Sequence, residues 1–168
     1  MLETERLIIK PLNYNQLLKY LKADNSLEEE LNLKMSMRKI SPELLEAFEQ
    51  TILPNVADPS KNYLFCTLWT GISKNDRAMV GEVCITGEPD AEGNIEIGYG
   101  THEEFRGRGY MTEMVGAIIA WARNQSGVSA IIASCDKDNR ASISILAKNN
   151  FVRTGKTDTQ YNWKLKFF

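Results

Sequence analysis

The feature that most restricts this chain is a change of hydrophobic period across a glycine-rich junction. Upstream, Tyr63 to Thr70, Ala78 to Thr86 and Asn94 to Tyr99 are short runs rich in aromatic and β-branched residues, separated by the turn-like segments Gly71 to Asp76 and Asp90 to Gly93. Such runs joined by short turns predict an antiparallel meander of three strands. Downstream, Met111, Met114, Val115, Ile118, Ile119 and Ala122 recur at helical intervals and predict a helix from about Thr112 to Asn124. Between the two periods stands Arg106-Gly107-Arg108-Gly109. A meander that turns through glycines into a long apolar helix points to a mixed α/β architecture.

The flanks complete the pattern. Leu7 to Lys10 reads as a strand ended by Pro11. Tyr14, Leu17, Leu18 and Leu21 form one helical stripe within Tyr14 to Asp24. Ser26 to Leu31 starts another helix, with Glu28-Glu29-Glu30 read as a solvated acidic face. Ser41-Pro42-Glu43 is a helix start, a capping hydroxyl followed by proline at the first helical position. Its apolar face is Leu44, Leu45, Phe48 and Ile52, and Pro54 is expected to stop it. After the long helix come a buried-type strand over Val128 to Ser134 and a helix over Asn139 to Lys148, with Asn149-Asn150 suited to a left-handed cap. A hairpin follows over Phe151 to Lys156 and Tyr161 to Phe167, where Tyr161, Trp163, Leu165 and Phe167 alternate with polar residues. The expected order is β-α-α-β-β-β-α-β-α-β-β.

Composition narrows the function classes. A chain of 168 residues, 43% hydrophobic and 25% charged, is a one-domain length with enough apolar content for a core, so residues 1–168 are read as a single domain. The net charge of -2 argues against sequence-independent nucleic-acid binding. Cys66, Cys84 and Cys135 are far apart and His102 is the single histidine, which argues against a metal site. A polar start, no long apolar run and free thiols predict a cytoplasmic protein with no membrane span.

The junction itself has chemistry. Glycines let the backbone approach a ligand closely, and a helix directly after them presents free N–H groups and the positive end of its dipole. Arg106 and Arg108 add charge. The segment is neither a Walker A loop nor a GxGxxG fingerprint, since Thr112 stands where the third glycine would fall. On the loop alone, an anion site and a tight turn with solvated arginines are both open.

The run Glu96-Ile97-Gly98-Tyr99, then Glu104 to Tyr110, then Asn139-Arg140-Ala141-Ser142 and Asn150-Phe151 resembles the GCN5-related N-acetyltransferase (GNAT) superfamily. Thr4-Glu5-Arg6-Leu7-Ile8 resembles its ribosomal-protein N-terminal acetyltransferase branch. The resemblance implies a mostly antiparallel sheet flanked by helices and an acetyl-CoA site in a V-shaped opening between the third middle strand and the strand at Val128 to Ser134. The family motif Gln/Arg-x-x-Gly-x-Gly/Ala falls on Arg106, Gly109 and Met111, with Met111 departing from Gly/Ala. The pyrophosphate would meet the N–H groups of Arg106, Gly107, Arg108, Gly109, Tyr110, Met111 and Thr112, and the pantetheine would lie beside Tyr99, Gly100, Thr101 and His102. Asn139 matches the family's pantetheine-side asparagine, and Ser142 lies beside it. Each also reads as simple helix capping.

Transfer to an amine needs a proton acceptor. Glu96 matches the position of a catalytic glutamate in part of the superfamily, and burial among Ile95, Ile97 and Gly98 would raise its pKa. Strand alternation offers the opposite reading, an outward-facing charge. Glu82 is the reserve. Many relatives carry a tyrosine as the acid seven residues after the motif asparagine; Leu146 stands there, with Ser144 and Tyr110 nearby. His102 is expected to act through its backbone, because no partner is identified to orient its imidazole. Cys135 reads as a buried thiol, and Trp69, Trp121 and Trp163 as core. The expected reaction is acetyl transfer from acetyl-CoA to a primary amine by direct attack in a ternary complex, with a protein N-terminus, a small amine, or acyl-CoA sensing without turnover as open alternatives. A homodimer through the last strand is a further expectation.

Overall fold

The computed structural model covers residues 1–168. The chain opens with β1 (Leu2–Glu3) and β2 (Leu7–Pro11). Helix α1 (Tyr14–Lys22) starts at a capping box, in which the Asn13 side chain accepts from the Gln16 N–H and the Gln16 side chain accepts from the Asn13 N–H. Its inward residues are Gln16, Leu17 and Tyr20, whereas Tyr14 and Leu18 of the expected stripe stay exposed. Tyr20 takes the inward place because its ring stacks on Phe48 at 5.8 Å and carries the Arg38 guanidinium at 4.5 Å.

Helices α2 (Ser26–Glu30) and α3 (Pro42–Ala47) follow, the latter capped by the Ser41 side chain as expected. Pro54 does not stop the helical path. Residues Phe48–Ile52 widen into a π-turn, and the path continues as α4 (Leu53–Ala57) with Pro54 in its first turn. The wider turn relieves the clash a proline ring makes with the carbonyl four residues back.

The strand expected from Tyr63 starts late. Tyr63–Phe65 coil into a 3-10 turn whose Leu64 N–H is capped by the Asn62 side chain, and β3 is Leu68–Ser73. Gly71, expected in a turn, is therefore mid-strand. It lies under the long helix, where a Cβ would collide with Met114 Sδ. The actual turn is 74–77, tied by Asp76 to the Ser73 hydroxyl at 2.7 Å. Then come β4 (Ala78–Ile85), β5 (Asn94–Thr101), α5 (Tyr110–Arg123), β6 (Ala130–Asp136), α6 (Arg140–Lys148), β7 (Val152–Lys156) and β8 (Gln160–Lys166). Asn150, at φ 64, supplies the left-handed residue after α6.

The strands form one eight-stranded sheet in the order β1-β2-β3-β4-β5-β6-β8-β7. Every pair is antiparallel except β5 and β6. One face packs on α5 and α6 through Met114, Val115, Ile118 and Leu146. The other packs on the α1–α4 layer through Leu17, Tyr20, Leu27 and Phe48 against Leu68, Ile72 and Met79. No helix is long and apolar enough to cross a membrane.

Glu28 departs from the expected solvated acidic face. It is buried against Arg38, which also donates to the Tyr20 carbonyl at 3.2 Å, while the Ser36 hydroxyl donates to Glu28. The pair pins the 31–40 segment to α1 and α2. Breaking it by Arg38→Ala leaves a buried carboxylate alone, and stability should fall by about 3–5 kcal/mol, read as a lower urea midpoint at unchanged slope.

Candidate active site

Strands β5 and β6 pair over only three rungs, Asn94 with Ala130, Ile95 with Ile131 and Glu96 with Ile132. Beyond Glu96, β5 stays with β4 as far as Thr101, and beyond Ile132, β6 stays with β8 as far as Asp136. The sheet therefore opens into a V. The ladder with β4 uses Glu96 O and His102 N–H, so alternation aims the backbone groups of Ile97, Tyr99 and Thr101 into the gap.

A cleft of about 610 Å³ fills the mouth of this V, walled by β5, the 105–112 segment and α6. Gly107 and Gly109 hold φ values of 74° and 79° there, a region that side chains disfavour. Gly109 is the N-cap of α5 and has no side chain to cap the helix. The backbone N–H groups of Gly107, Arg108, Gly109, Tyr110, Met111 and Thr112 donate to no acceptor in the chain. A run of unpaired N–H groups at a helix start is an anion seat. Met111 does not disturb it, because its side chain is buried beside Gly81. Arg106 lines the cleft and donates to the Thr101 carbonyl at 3.4 Å. Arg108 does not line it: its guanidinium lies over Phe105 and donates to the Glu104 carbonyl at 3.1 Å.

Helix α6 forms the opposite wall. Asn139 caps it by accepting from the Ser142 N–H at 3.0 Å and also lines the cleft. The Ser142 hydroxyl lies 2.8 Å from the Tyr99 hydroxyl, across the V. Burial pushes the Tyr99 phenol up to about 12, so it holds its proton at neutral pH. Leu146 is fully buried in the core, and the Tyr110 hydroxyl is occupied by Asp76 at 3.1 Å. Lys148 lines the cleft and escaped the sequence reading. Its signal was the spacing of Ala141, Ile145 and Lys148, one helical face. Cys135 is buried and accepts from the Trp163 indole at 3.2 Å.

The other side of β5 is bare. Glu96 is exposed rather than buried, and Gly98 and Gly100 face open space. Glu82, opposite Gly100 on β4, is held by His102. The imidazole, for which sequence offered no partner, has two: Nε2 lies 2.8 Å from Glu82 Oε1 and Nδ1 lies 3.1 Å from the Met79 carbonyl. Its backbone is also committed, the N–H to Val80 and the carbonyl to Phe105. With an acceptor at each ring nitrogen, the site favours the doubly protonated imidazole. Burial opposes that charge, but the Glu82 carboxylate and the Met79 carbonyl outweigh it and raise the His102 pKa.

No group of three or more histidine, cysteine, aspartate or glutamate side chains is placed to hold a metal. The acetyltransferase (GNAT) domain family matches residues 6–152. The uncharacterized N-acetyltransferase YjdG of Bacillus subtilis (strain 168) is 29% identical over 166 residues, covering 97% of this chain and 96% of that one. Among solved structures, the ribosomal L7/L12 α-N-protein acetyltransferase RimL superposes with a TM-score of 0.69 at 15% identity, over 99% of this chain and 96% of that one. A spermidine N-acetyltransferase from Vibrio cholerae, in complex with CoA and spermine, superposes with a TM-score of 0.67 at 11% identity, over 97% and 96%.

The single histidine gives a clean readout. Because its folded pKa is raised, His102 adds stability that is fully present below the unfolded pKa near 6.5 and lost as pH rises through the folded value. The His102 ring proton resonance should titrate above 6.5, and Glu82→Gln should bring that midpoint down.

Proposed function

The chain belongs to the acetyltransferase (GNAT) family and is an N-acetyltransferase, and from that premise we propose that it transfers acetyl from acetyl-CoA to a primary amine, with a protein N-terminus as the acceptor. The observation that carries the donor side is the run of free N–H groups from Gly107 to Thr112 at the mouth of the V. These groups, with Arg106 and Lys148 nearby, hold the pyrophosphate. The backbone of Tyr99 and Thr101 pairs with the pantetheine as an added strand would, and an N–H on that edge donates to the thioester carbonyl as negative charge gathers there.

The amine approaches past Gly98 and Gly100, where the sheet carries no side chain. Glu82 is committed to His102, which leaves Glu96 as the carboxylate without a partner on this stretch of β5, and it takes the ammonium proton directly or through water. The new N–C bond forms as the C–S bond breaks. With Leu146 in the usual acid position, the departing thiolate takes its proton from water, and the Tyr99–Ser142 hydroxyl pair offers it a hydrogen bond.

The acceptor class follows from charge. On this side Glu28 is neutralised by Arg38 and Glu82 by His102. Glu96 is then the unpaired carboxylate of this stretch of β5, and one such charge suits a singly charged amine on an extended chain better than a polycation.

Acetylation of free-N-terminus peptides, read by mass spectrometry, should exceed that of spermidine. Glu96→Gln should lower kcat by about 10²–10⁴-fold with CoA affinity unchanged. Undiminished turnover in Glu96→Gln removes it as the base, and absence of any CoA-induced rise in Tm removes the donor reading.

A further inference from the structure

The Thr4-Glu5-Arg6 corner at the start of β2 has no part in the chemistry above, yet it reaches the junction more than 100 residues away. The Arg6 Nε donates to Glu113 Oε2 at 2.7 Å, and the Arg6 backbone N–H donates to Glu113 Oε1 at 3.0 Å. The Thr4 hydroxyl donates to the same Oε1 at 2.6 Å. Arg6 Nη1 donates to the Arg108 carbonyl at 2.8 Å, and the guanidinium stacks over the Tyr110 ring at 4.6 Å. One side chain therefore grips the junction at Arg108, Tyr110 and Glu113.

Glu113 sits in the first turn of α5. A carboxylate this near a helix start is drawn toward the free N–H groups and the positive end of the dipole there. Here it is turned outward, and those N–H groups stay open toward the cleft. Burial works against its charge, but the Thr4 hydroxyl and Arg6 hold the Glu113 carboxyl below the usual range, so it is ionised and its charge is matched.

We propose that Arg6 is a positioning residue for the phosphates of the donor: it holds Glu113 away from the anion seat, cancels its charge, and fixes the Arg108 carbonyl so that the N–H groups of the junction converge. This rests on the reading of that segment as a phosphate seat. In its absence Glu113 competes with the ligand for the same N–H groups and repels it.

The test uses the full chain and CoA as the probe, with affinity read by isothermal titration. Arg6→Gln should weaken CoA about tenfold, the size expected when a charge at a helix start loses its counterion. Adding Glu113→Gln to Arg6→Gln should restore CoA to within about threefold of the parent, because a neutral amide does not repel phosphate. A purely structural latch predicts the reverse, since the double variant loses more contacts than the single one. Affinity within twofold of the parent in Arg6→Gln, or no recovery in the double variant, overturns the proposal. Failure of the parent chain to bind CoA overturns the functional reading instead. Should Arg6→Gln not fold, Arg6→Lys reads the same effect, since lysine keeps the charge but cannot span Glu113 and the Arg108 carbonyl together. Retained parent affinity in Arg6→Lys then overturns the proposal, and a loss supports it.

Discussion

The parting of β5 and β6 after Glu96 and Ile132 is the constraint on which the rest of the structure depends. A sheet that splits leaves backbone N–H and C=O groups without partners, and such groups are costly unless water or a ligand satisfies them. The chain tolerates the split because each strand keeps its other neighbour across it, β5 pairing with β4 from Ile97 to Thr101 and β6 with β8 from Ala133 to Asp136. Helix α5 then holds the two halves together from one face, with Met114, Val115 and Ile118 buried in the common core. The hydrophobic core thus supports a gap in the hydrogen-bond ladder.

The two sides of the gap have different electrostatic characters. On the cleft side, dipoles are left uncompensated: the N–H groups from Gly107 to Thr112 have no partner in the chain, and Arg106 and Lys148 line the same cleft. On the other side, charges are matched in place, Glu28 by Arg38 and Glu82 by His102. Removing two carboxylates from play by burying a counterion next to each gives that side little net field.

Much of this was legible in the sequence because it is written locally. The period change at Arg106 to Thr112, the capping roles of Ser41 and Asn139, and the left-handed Asn150 each depend on a few adjacent residues. The cleft beside that junction is lined by Tyr99, Asn139, Ser142 and the junction glycines, whereas Arg108 and His102 stay out of it. What was not legible depends on register. Glu82 meets His102 because β4 and β5 pair with Glu82 opposite Gly100, and nothing near either residue encodes that alignment. Glu28 meets Arg38 only when the 31–40 segment folds back. Pro54 misled because a π-turn can absorb a proline, and Gly71 because a glycine that admits a neighbouring helix looks the same as one that makes a turn.

The vacant space above Gly98 and Gly100 has a consequence for how this protein can change. Neither residue has a positive φ, and a Cβ at either would meet nothing within 4 Å. Glycine weakens a strand, so a side chain at these positions would strengthen β5 while narrowing the approach to the V. Most active sites resist alteration because their geometry is bound up with folding. Here the surface at Gly98 can take a side chain without meeting a neighbour, whereas one at Gly100, which also lines the cleft, would alter the cleft itself.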